Sequence, residues 1–209
     1  MTVKLDHIIF GCADLALGVA ELSEALGAPP GGFGRHDMMG THNALWRLGE
    51  VYLELIAIDP QAEPPGRARW FGLDEHVTRS KLATGPRLLT WAVSADPLEP
   101  VVSAAPVALG PIEAFRRGDF SWRVAVPVTG APGLEGAFPL TISWTSEAHP
   151  ALTLPDAGLS LGELVVNHPH IVRARQALGA VVGAVNFGDG PSCLRCKIVA
   201  GGKTLDFQS

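Results

Sequence analysis

The chain has 209 residues, 47% of them hydrophobic, which suits a globular domain with a sizeable core and excludes a disordered chain. Its formal net charge is -5 and its lysines and arginines form no cluster, which argues against nucleic acid and membrane surfaces as partners. The start lacks a signal-peptide pattern, no apolar run approaches the roughly 20 residues of a spanning helix, and the cysteines are odd in number. We therefore expect a soluble cytoplasmic protein.

Residues 1–60 are predicted to form a strand, a helix and three further strands. An apolar strand at residues 4–12 precedes Asp14, a residue type that favours helix N-caps, and an Ala/Leu-rich helix at Leu15–Leu26. Gly27 ends this helix. The patterns that follow predict strands at residues 34–39, 42–48 and 51–58.

The same element order begins again near Arg87. A strand at residues 88–94 precedes Asp96, which stands where Asp14 stood, at the start of a short helix that runs to Val102. Strands follow at residues 111–116, 120–127 and 138–144. An offset of about 80 residues between the two aspartates suits a duplicated βαβββ module.

The remaining residues form a connector and a third unit. The connector, residues 61–86, is polar and contains a short helix at residues 73–82. The third unit, residues 151–209, has a strand at Leu159–Asn167, a helix at Ile171–Leu178 and further short strands. We expect an α+β fold in which modules at residues 1–60 and 87–150 are followed by this shortened βαββ unit. The unit either packs on the outside of the modules or extends their sheet.

Two apolar strands each carry a polar side chain that needs an explanation. His7 lies in the first strand and Glu54 in the fourth, where it shares a face with Tyr52 and Ile56. Burying a charge without a partner costs several kcal/mol or more. We therefore expect these residues to face a water-filled cleft, to bind a ligand, or to form a hydrogen-bonded pair with each other.

The strand at residues 42–48 adds candidates on both of its faces. Side-chain alternation places His42 with Trp46 and Asn43 with Arg47, and one of these sets should share the face of Glu54. His42 would supply a third metal ligand if it pointed inward, and His36 on the preceding strand is the other candidate. A surface or hydrogen-bonding histidine is the alternative in both cases.

Further candidates come from the second module and the connector. Arg123 in an apolar strand is either a snorkelling edge residue or a clamp for a carboxylate or phosphate. Trp91 and Trp144 belong either to the core or to the wall of an apolar pocket. Trp70 and Phe71 form either a lid over that pocket or an anchor for the connector.

Two segments carry a family resemblance, LDHIIFGCADL and GTHNALWRLGEVYLELIAID. They resemble the vicinal-oxygen-chelate superfamily, and more narrowly its glyoxalase-like proteins with an extra C-terminal unit. The resemblance implies paired βαβββ modules that form a cup-shaped mixed sheet with helices outside. It also implies metal ligands that point into the cup from the first and fourth strand of each module.

When the metal ligands implied by the resemblance are assigned to this sequence residue by residue, His7 and Glu54 match the two ligands of the first module. The second module departs from the pattern, since its first strand has no His and its fourth strand has no Glu, Asp or Gln. One divalent metal ion is implied by the resemblance, although half of the usual four-ligand site is missing.

We expect a glyoxalase-like protein that handles a small organic molecule, as a monomer or homodimer. As an enzyme of metal-assisted lyase, isomerase or dioxygenase type, it would use Glu54 as general base and His7 as its partner or as a metal ligand. A non-catalytic protein that sequesters a small molecule on the same fold is the alternative. The predicted ligand-binding residues are Asn43, Trp46, Trp91, Arg123 and Trp144.

Overall fold

The computed structural model describes residues 2–209, so residue 1 of the first predicted module lies outside it. Strands make up 41% of the structure and helices 23%. Within the described residues the strands form a large, nearly closed curled sheet and a smaller second sheet. The predicted α+β class is confirmed.

The first half of the large sheet follows the predicted order. Its elements are β1 (Val3–Gly11), α1 (Leu15–Leu26), β2 (Gly32–His36), β3 (Thr41–Leu48) and β4 (Val51–Ile58). Asp14 caps α1 as predicted, since its carboxylate accepts a hydrogen bond from the N–H of Leu17 at 3.0 Å. β2 ends before the predicted strand does, because residues 37–39 form a 3-10 turn that ends at Gly40 in the left-handed conformation.

The second half repeats the order after a connector that contains α2 (His76–Leu82). Its elements are β5 (Arg87–Ala95), α3 (Glu99–Ala104), β6 (Ile112–Arg117), β7 (Phe120–Ala125) and β8 (Leu140–Trp144). The helix begins at Glu99 and not at Asp96, because the chain bends at Asp96 and Pro97 before the first helical turn.

The strand order of the large sheet is β2-β3-β4-β1-β5-β8-β7-β6. β1 and β5 pair antiparallel in its middle, so the two halves meet there. The strands β2 and β6 are its edges, and the curl of the sheet brings them next to each other. We call this junction of the two edges the seam, and the concave face of the sheet the cup.

Most of the third unit packs on the convex face of the large sheet, whereas its first helix packs against Leu45 and Tyr52 on the cup side. Its elements are α4 (Pro150–Thr153), β9 (Leu159–Asn167), α5 (Ile171–Leu178), β10 (Val181–Val182), β11 (Val185–Gly188), β12 (Cys193–Ala200) and β13 (Lys203–Gln208). The second sheet has the order β11-β9-β12-β13, whereas β10 pairs with β1. Phe207 meets Phe10 edge-on at 5.4 Å, which joins the two sheets. The division into units at residues 60, 86 and 150 stays a prediction.

The large sheet separates two apolar clusters. An outer core under α1, α3 and the second sheet contains Ile8 and Phe10, while an inner cluster within the cup contains Ile9 and Ile56. Alternation along each strand explains this division, since neighbouring residues point to opposite faces. Among residues 2–209, no helix has both the length and the apolar character needed to cross a bilayer.

Candidate functional site

A β-bulge in β1 sets up the polar centre of the cup. In the pairing with β5 the register shifts between Leu5 and His7, which leaves Asp6 without an opposite residue. The bulge also resets the alternation, because Leu5 and Ile8 both join the outer core while His7 faces the cup. Bulges redirect side chains in this way near functional sites. Asp6 and His7 therefore contact each other, although a regular strand would separate them.

Asp6 is a buried carboxylate with three donors around it. It accepts hydrogen bonds from His7 Nδ1 at 2.6 Å, from Trp144 Nε1 at 2.8 Å and from His149 Nε2 at 3.2 Å. Burial alone would raise the pKa of Asp6, but the hydrogen bonds from His149 and His7 outweigh it and hold this pKa far below its usual range. Asp6 is therefore ionised, and it ties β1 to β8 and to the loop that follows β8.

The hydrogen bonds define the tautomer of His149 and the orientation of His7. The backbone N–H of Ala151 donates to His149 Nδ1 at 3.2 Å, so the proton of neutral His149 is on Nε2, which faces Asp6. His7 donates from Nδ1 to Asp6, and this turns its Nε2 toward the cup. The ring of Tyr52 stacks on His7 with centroids 4.4 Å apart, which holds the imidazole in this orientation.

Glu54 lies opposite His7, with one carboxylate oxygen hydrogen-bonded and the other facing the cavity. Asn43 Nδ2 donates to Glu54 Oε1 at 2.5 Å. Glu54 Oε2 lies 3.7 Å from His7 Nε2, which is too long for a hydrogen bond. The carboxylate is buried and lines the same cavity as His7. It therefore has the placement of a general base, with an oxygen free to take a proton.

Arg117 reaches this centre from the other edge of the sheet. Its Nη1 lies 3.1 Å from Asn43 Oδ1 and 3.3 Å from His36 Nε2, across the seam. Because arginine only donates, His36 accepts at Nε2 and its Nδ1 donates to Thr41 Oγ1 at 3.2 Å. Burial, then the charge of Arg117 and that of His7, lower the pKa of His36 to about 3. His36 is therefore neutral at physiological pH.

The cavity between these groups has a volume of about 40 Å³ and an apolar far wall. The second half of the sheet contributes Trp122, Leu140, Ile142 and Trp144 to it. Trp70 and Phe71 of the connector line it too, and both are buried in the inner cluster. Within residues 2–209 the Trp70 Nε1–H has no hydrogen-bond partner. The two residues close the cavity and at the same time anchor the connector.

The structure brings together one part of the predicted set. His7, Asn43, Glu54 and Trp144 all line the cavity, and so does His36. On β3, the side chains of Asn43 and Arg47 point toward the cup. Those of His42 and Trp46 point away from it.

The structure places His42, Trp46, Trp91 and Arg123 outside the cavity. Trp46 and Trp91 are outer-core residues, and their Nε1 groups donate to the carbonyls of Ala28 and Ala137. Arg123 points away from the cup on β7 and forms an ion pair with Glu99. These side chains have structural partners outside the cavity.

The sequence interpretation missed other residues of the site. Arg117 follows the apolar Phe115 by two positions in β6, so alternation could have placed both on one face. Asp6 carried no such signal, because only the bulge turns it toward His7. Nor could the sequence bring His149 to Asp6 from a loop 143 residues further along the chain.

The donors in the cup do not fit a tightly held divalent ion. His7 Nε2 and Glu54 Oε2 converge, but the second half presents apolar side chains where further ligands would have to stand. In the described part of the chain, no group of three or more His, Cys, Asp or Glu could hold a metal ion. Catalytic zinc has three protein ligands as a rule, and structural zinc four. The implied metal therefore lacks a complete donor set here.

Paired strand-helix-strand modules around an inward polar face define a fold of the vicinal-oxygen-chelate type. The family model of the glyoxalase-like domain matches residues 5–182. This chain belongs to the glyoxalase-like domain family. None of the curated proteins compared with it is significantly similar in sequence.

Several solved structures are similar to this chain at low sequence identity. A hypothetical protein from Staphylococcus aureus is 14% identical, with 100% of this chain and 85% of that chain covered and a TM-score of 0.55. A methylmalonyl-CoA epimerase from Mycobacterium tuberculosis is 18% identical, covers 68% of this chain and 86% of its own, and has a TM-score of 0.44. A hypothetical protein from Bacillus halodurans is 14% identical, with 71% and 98% covered and a TM-score of 0.43. Function has to be argued from the site, because one fold hosts many chemistries.

Proposed function

We propose that this protein binds a small organic molecule in the cup and moves a proton on the carbon next to its carbonyl group. Glu54 is the general base, and His7 donates to the carbonyl oxygen. The observation that carries the proposal is the buried sequence of contacts from Asp6 to His7 Nδ1 and from His7 Nε2 toward Glu54 Oε2. Two carboxylates on either side of one imidazole are costly to bury, and acid–base chemistry gives them a use.

The proposed step balances within these residues and the substrate. Glu54 Oε2 takes the proton from the carbon, and the electron pair of the C–H bond moves into the carbonyl group. The oxygen gains negative charge and accepts a hydrogen bond from His7 Nε2–H. Asp6 offsets the positive charge of His7 when both ring nitrogens carry a proton. Return of the proton from Glu54 to the carbon completes an isomerisation or an exchange.

The surroundings support this assignment of roles. Asn43 holds Glu54 Oε1, so the carboxylate can rotate little and Oε2 stays directed at the cavity. Tyr52 fixes the ring of His7 in the same way. Apolar side chains of the second half exclude water from the far side, which strengthens the electrostatic interactions inside. No step of the proposal uses a metal ion.

A binding protein without turnover is the second candidate. The incomplete donor set for a metal and the apolar far wall favour it, since both suit retention of a small molecule. It uses the same cavity and differs only in the fate of the proton. Placement in the cytoplasm and a monomeric or homodimeric state also stay predictions.

Deuterium exchange separates the two candidates. The protein is incubated in D2O with 2-oxo acids, 2-alkylmalonate monoesters and hydroxyketones, and proton NMR follows the signal of the hydrogen next to the carbonyl. We expect exchange with the wild type, and its loss in Glu54→Gln. Glu50→Gln is the matched control, because Glu50 is exposed in the β3–β4 turn.

Each outcome decides between the candidates. Binding of a compound without exchange in the wild type would favour the sequestration protein. Equal exchange in wild type and Glu54→Gln would remove Glu54 from the role of base.

A further inference from the structure

Arg117 is a cation in the cup without an acidic partner. Among residues 2–209 its hydrogen bonds involve Nη1 alone, to Asn43 and His36. Both acceptors are neutral, since Asn43 is an amide and the pKa of His36 is lowered to about 3. By contrast, Arg67 and Arg123 each form an ion pair with a glutamate. The remaining nitrogens of the Arg117 guanidinium are free to bind an anion.

A glycine makes room for this guanidinium. A Cβ atom added at Gly34 in β2 would lie 2.1 Å from Arg117 Nη1 and 2.8 Å from Asn43 Oδ1. Gly34 is not in the left-handed conformation, so space and not backbone geometry requires glycine there. Any larger residue would displace the guanidinium from the seam. The glycine in β2 thus leaves room for Arg117 beside the cavity.

We infer that Arg117 recognises a carboxylate of the molecule bound in the cup, so that the ligand is a small organic acid. The planar guanidinium of arginine matches a carboxylate with two parallel hydrogen bonds. The cavity holds Arg117 and Glu54 together, which lets the ligand place its carboxylate at the former and its reacting carbon at the latter. Two parallel hydrogen bonds from one guanidinium engage both oxygens of a carboxylate, whereas a phosphate has further oxygens that would face the apolar wall of the second half.

This inference rests on the cavity of the proposed function but not on the proton transfer. Binding of an acid without deuterium exchange would leave the inference standing and remove the proposed reaction. The test is therefore a binding measurement that needs no turnover.

The tryptophans provide the readout. Trp70, Trp122 and Trp144 line the cavity, whereas Trp46 and Trp91 lie in the outer core and serve as internal references. The indole N–H signals are followed by two-dimensional proton–nitrogen NMR. The protein is titrated with propionate, with propionamide as a neutral compound of the same shape, and with inorganic phosphate.

We expect propionate to shift the cavity tryptophans and leave the references in place, with propionamide at least about tenfold weaker. Arg117→Met should weaken propionate binding by about tenfold or more and leave propionamide unchanged. Arg116→Met is the matched control, because Arg116 is the exposed neighbour on the other face of β6. Gly34→Ala keeps the charge of Arg117 but moves its guanidinium, so it should weaken propionate as well.

Several results would overturn the inference. One is equal affinity for propionate and propionamide. A second is wild-type affinity for propionate in Arg117→Met, and a third is that no compound shifts the signals of the cavity tryptophans. Tighter binding of phosphate than of propionate would replace the carboxylate by a phosphate group. If Arg117→Met does not fold, Arg117→Lys and Gly34→Ala decide, since both keep a positive charge near the seam while removing the bidentate geometry.

Discussion

The two halves of the large sheet share an element order and differ in what they present to the cup. The first half contributes His7, Asn43 and Glu54, while the second half contributes apolar walls such as Trp122 and Ile142. Apart from Arg117, which comes from the second half, one half therefore supplies the polar groups of the cavity and the other its apolar wall. The comparison shows that two modules with the same element order can contribute different kinds of side chains to one cavity.

Asp6 is where the two halves depend on each other most. Asp6→Ala would leave N–H groups of His7, Trp144 and His149 without an acceptor. We expect a loss of roughly 3–5 kcal/mol in the free energy of unfolding, measured with urea at neutral pH. Asp119→Ala, in an exposed turn, should change it by no more than about 0.5 kcal/mol. A loss below about 1 kcal/mol for Asp6→Ala would contradict this role.

Low pH should reduce the free energy of unfolding because of His36 in the first half. Its pKa is lowered to about 3 in the folded protein, so below about pH 6.5 the unfolded chain binds a proton that the folded chain does not. Stability is therefore lost as the pH falls, by up to about 1.4 kcal/mol per pH unit from this residue. His36→Gln keeps an acceptor for Arg117 and does not titrate.

Urea unfolding from pH 7 to pH 4.5 checks this effect. The variant should lose less stability than the wild type across this range. Asp6 adds its own loss below about pH 4, because there the unfolded chain begins to bind a proton at Asp6 while the lowered pKa keeps the folded carboxylate ionised. Parallel pH profiles of wild type and His36→Gln would refute the assignment to His36.

Two buried threonines in the second half are expected to change the free energy of unfolding by smaller amounts and in opposite directions. Within residues 2–209 the buried Thr141 Oγ1 has no partner, whereas the buried Thr90 Oγ1 donates to the carbonyl of Gly136 at 3.0 Å. We expect Thr141→Val to stabilise the protein by about 1 kcal/mol and Thr90→Val to destabilise it by a similar amount. Thermal unfolding compares the two variants. Destabilisation by both would mean that the Thr141 hydroxyl holds an ordered water or a ligand.

The smallest expected effect is the response to metal ions. A site whose dissociation constant is one hundredth of the metal concentration would add about 2.7 kcal/mol of stability. Because the second half supplies no further ligands, we expect Zn²⁺ or Mn²⁺ to stabilise wild type and His7→Ala equally, as followed by thermal unfolding. A stabilisation of the wild type that disappears in His7→Ala would show that the cup completes a metal site after all.

Much of the fold could be predicted because it depends on local signals. Asp14 caps α1 as the sequence indicates, and alternation separates the inward Glu54 from its outward neighbours. The site was predictable only where alternation is regular, as for His7 and Asn43. The sequence gives no sign of the bulge at Asp6, and this bulge decides which side chains meet.

Three of the predicted site residues lie outside the cavity for identifiable reasons. Trp46 and Trp91 are large aromatic residues that suit a ligand wall and a core equally well, and only the packing of the third unit assigns them to the outer core. Arg123 and Arg117 lie on neighbouring strands with opposite orientations. Arg117 shares the inward face of Phe115, whereas Arg123 lies between the inward residues Trp122 and Val124 and therefore points outward.

The seam also determines what separates the cavity from the outer surface. In residues 2–209, β2 pairs with β3 alone and β6 with β7 alone, so side chains and not backbone hydrogen bonds fasten the two edges. A groove outside the seam shares His36 and Arg117 with the cavity. The groove and the cavity are therefore separated at the seam by side chains such as His36 and Arg117, and no backbone hydrogen bond between the two edges has to break to connect them.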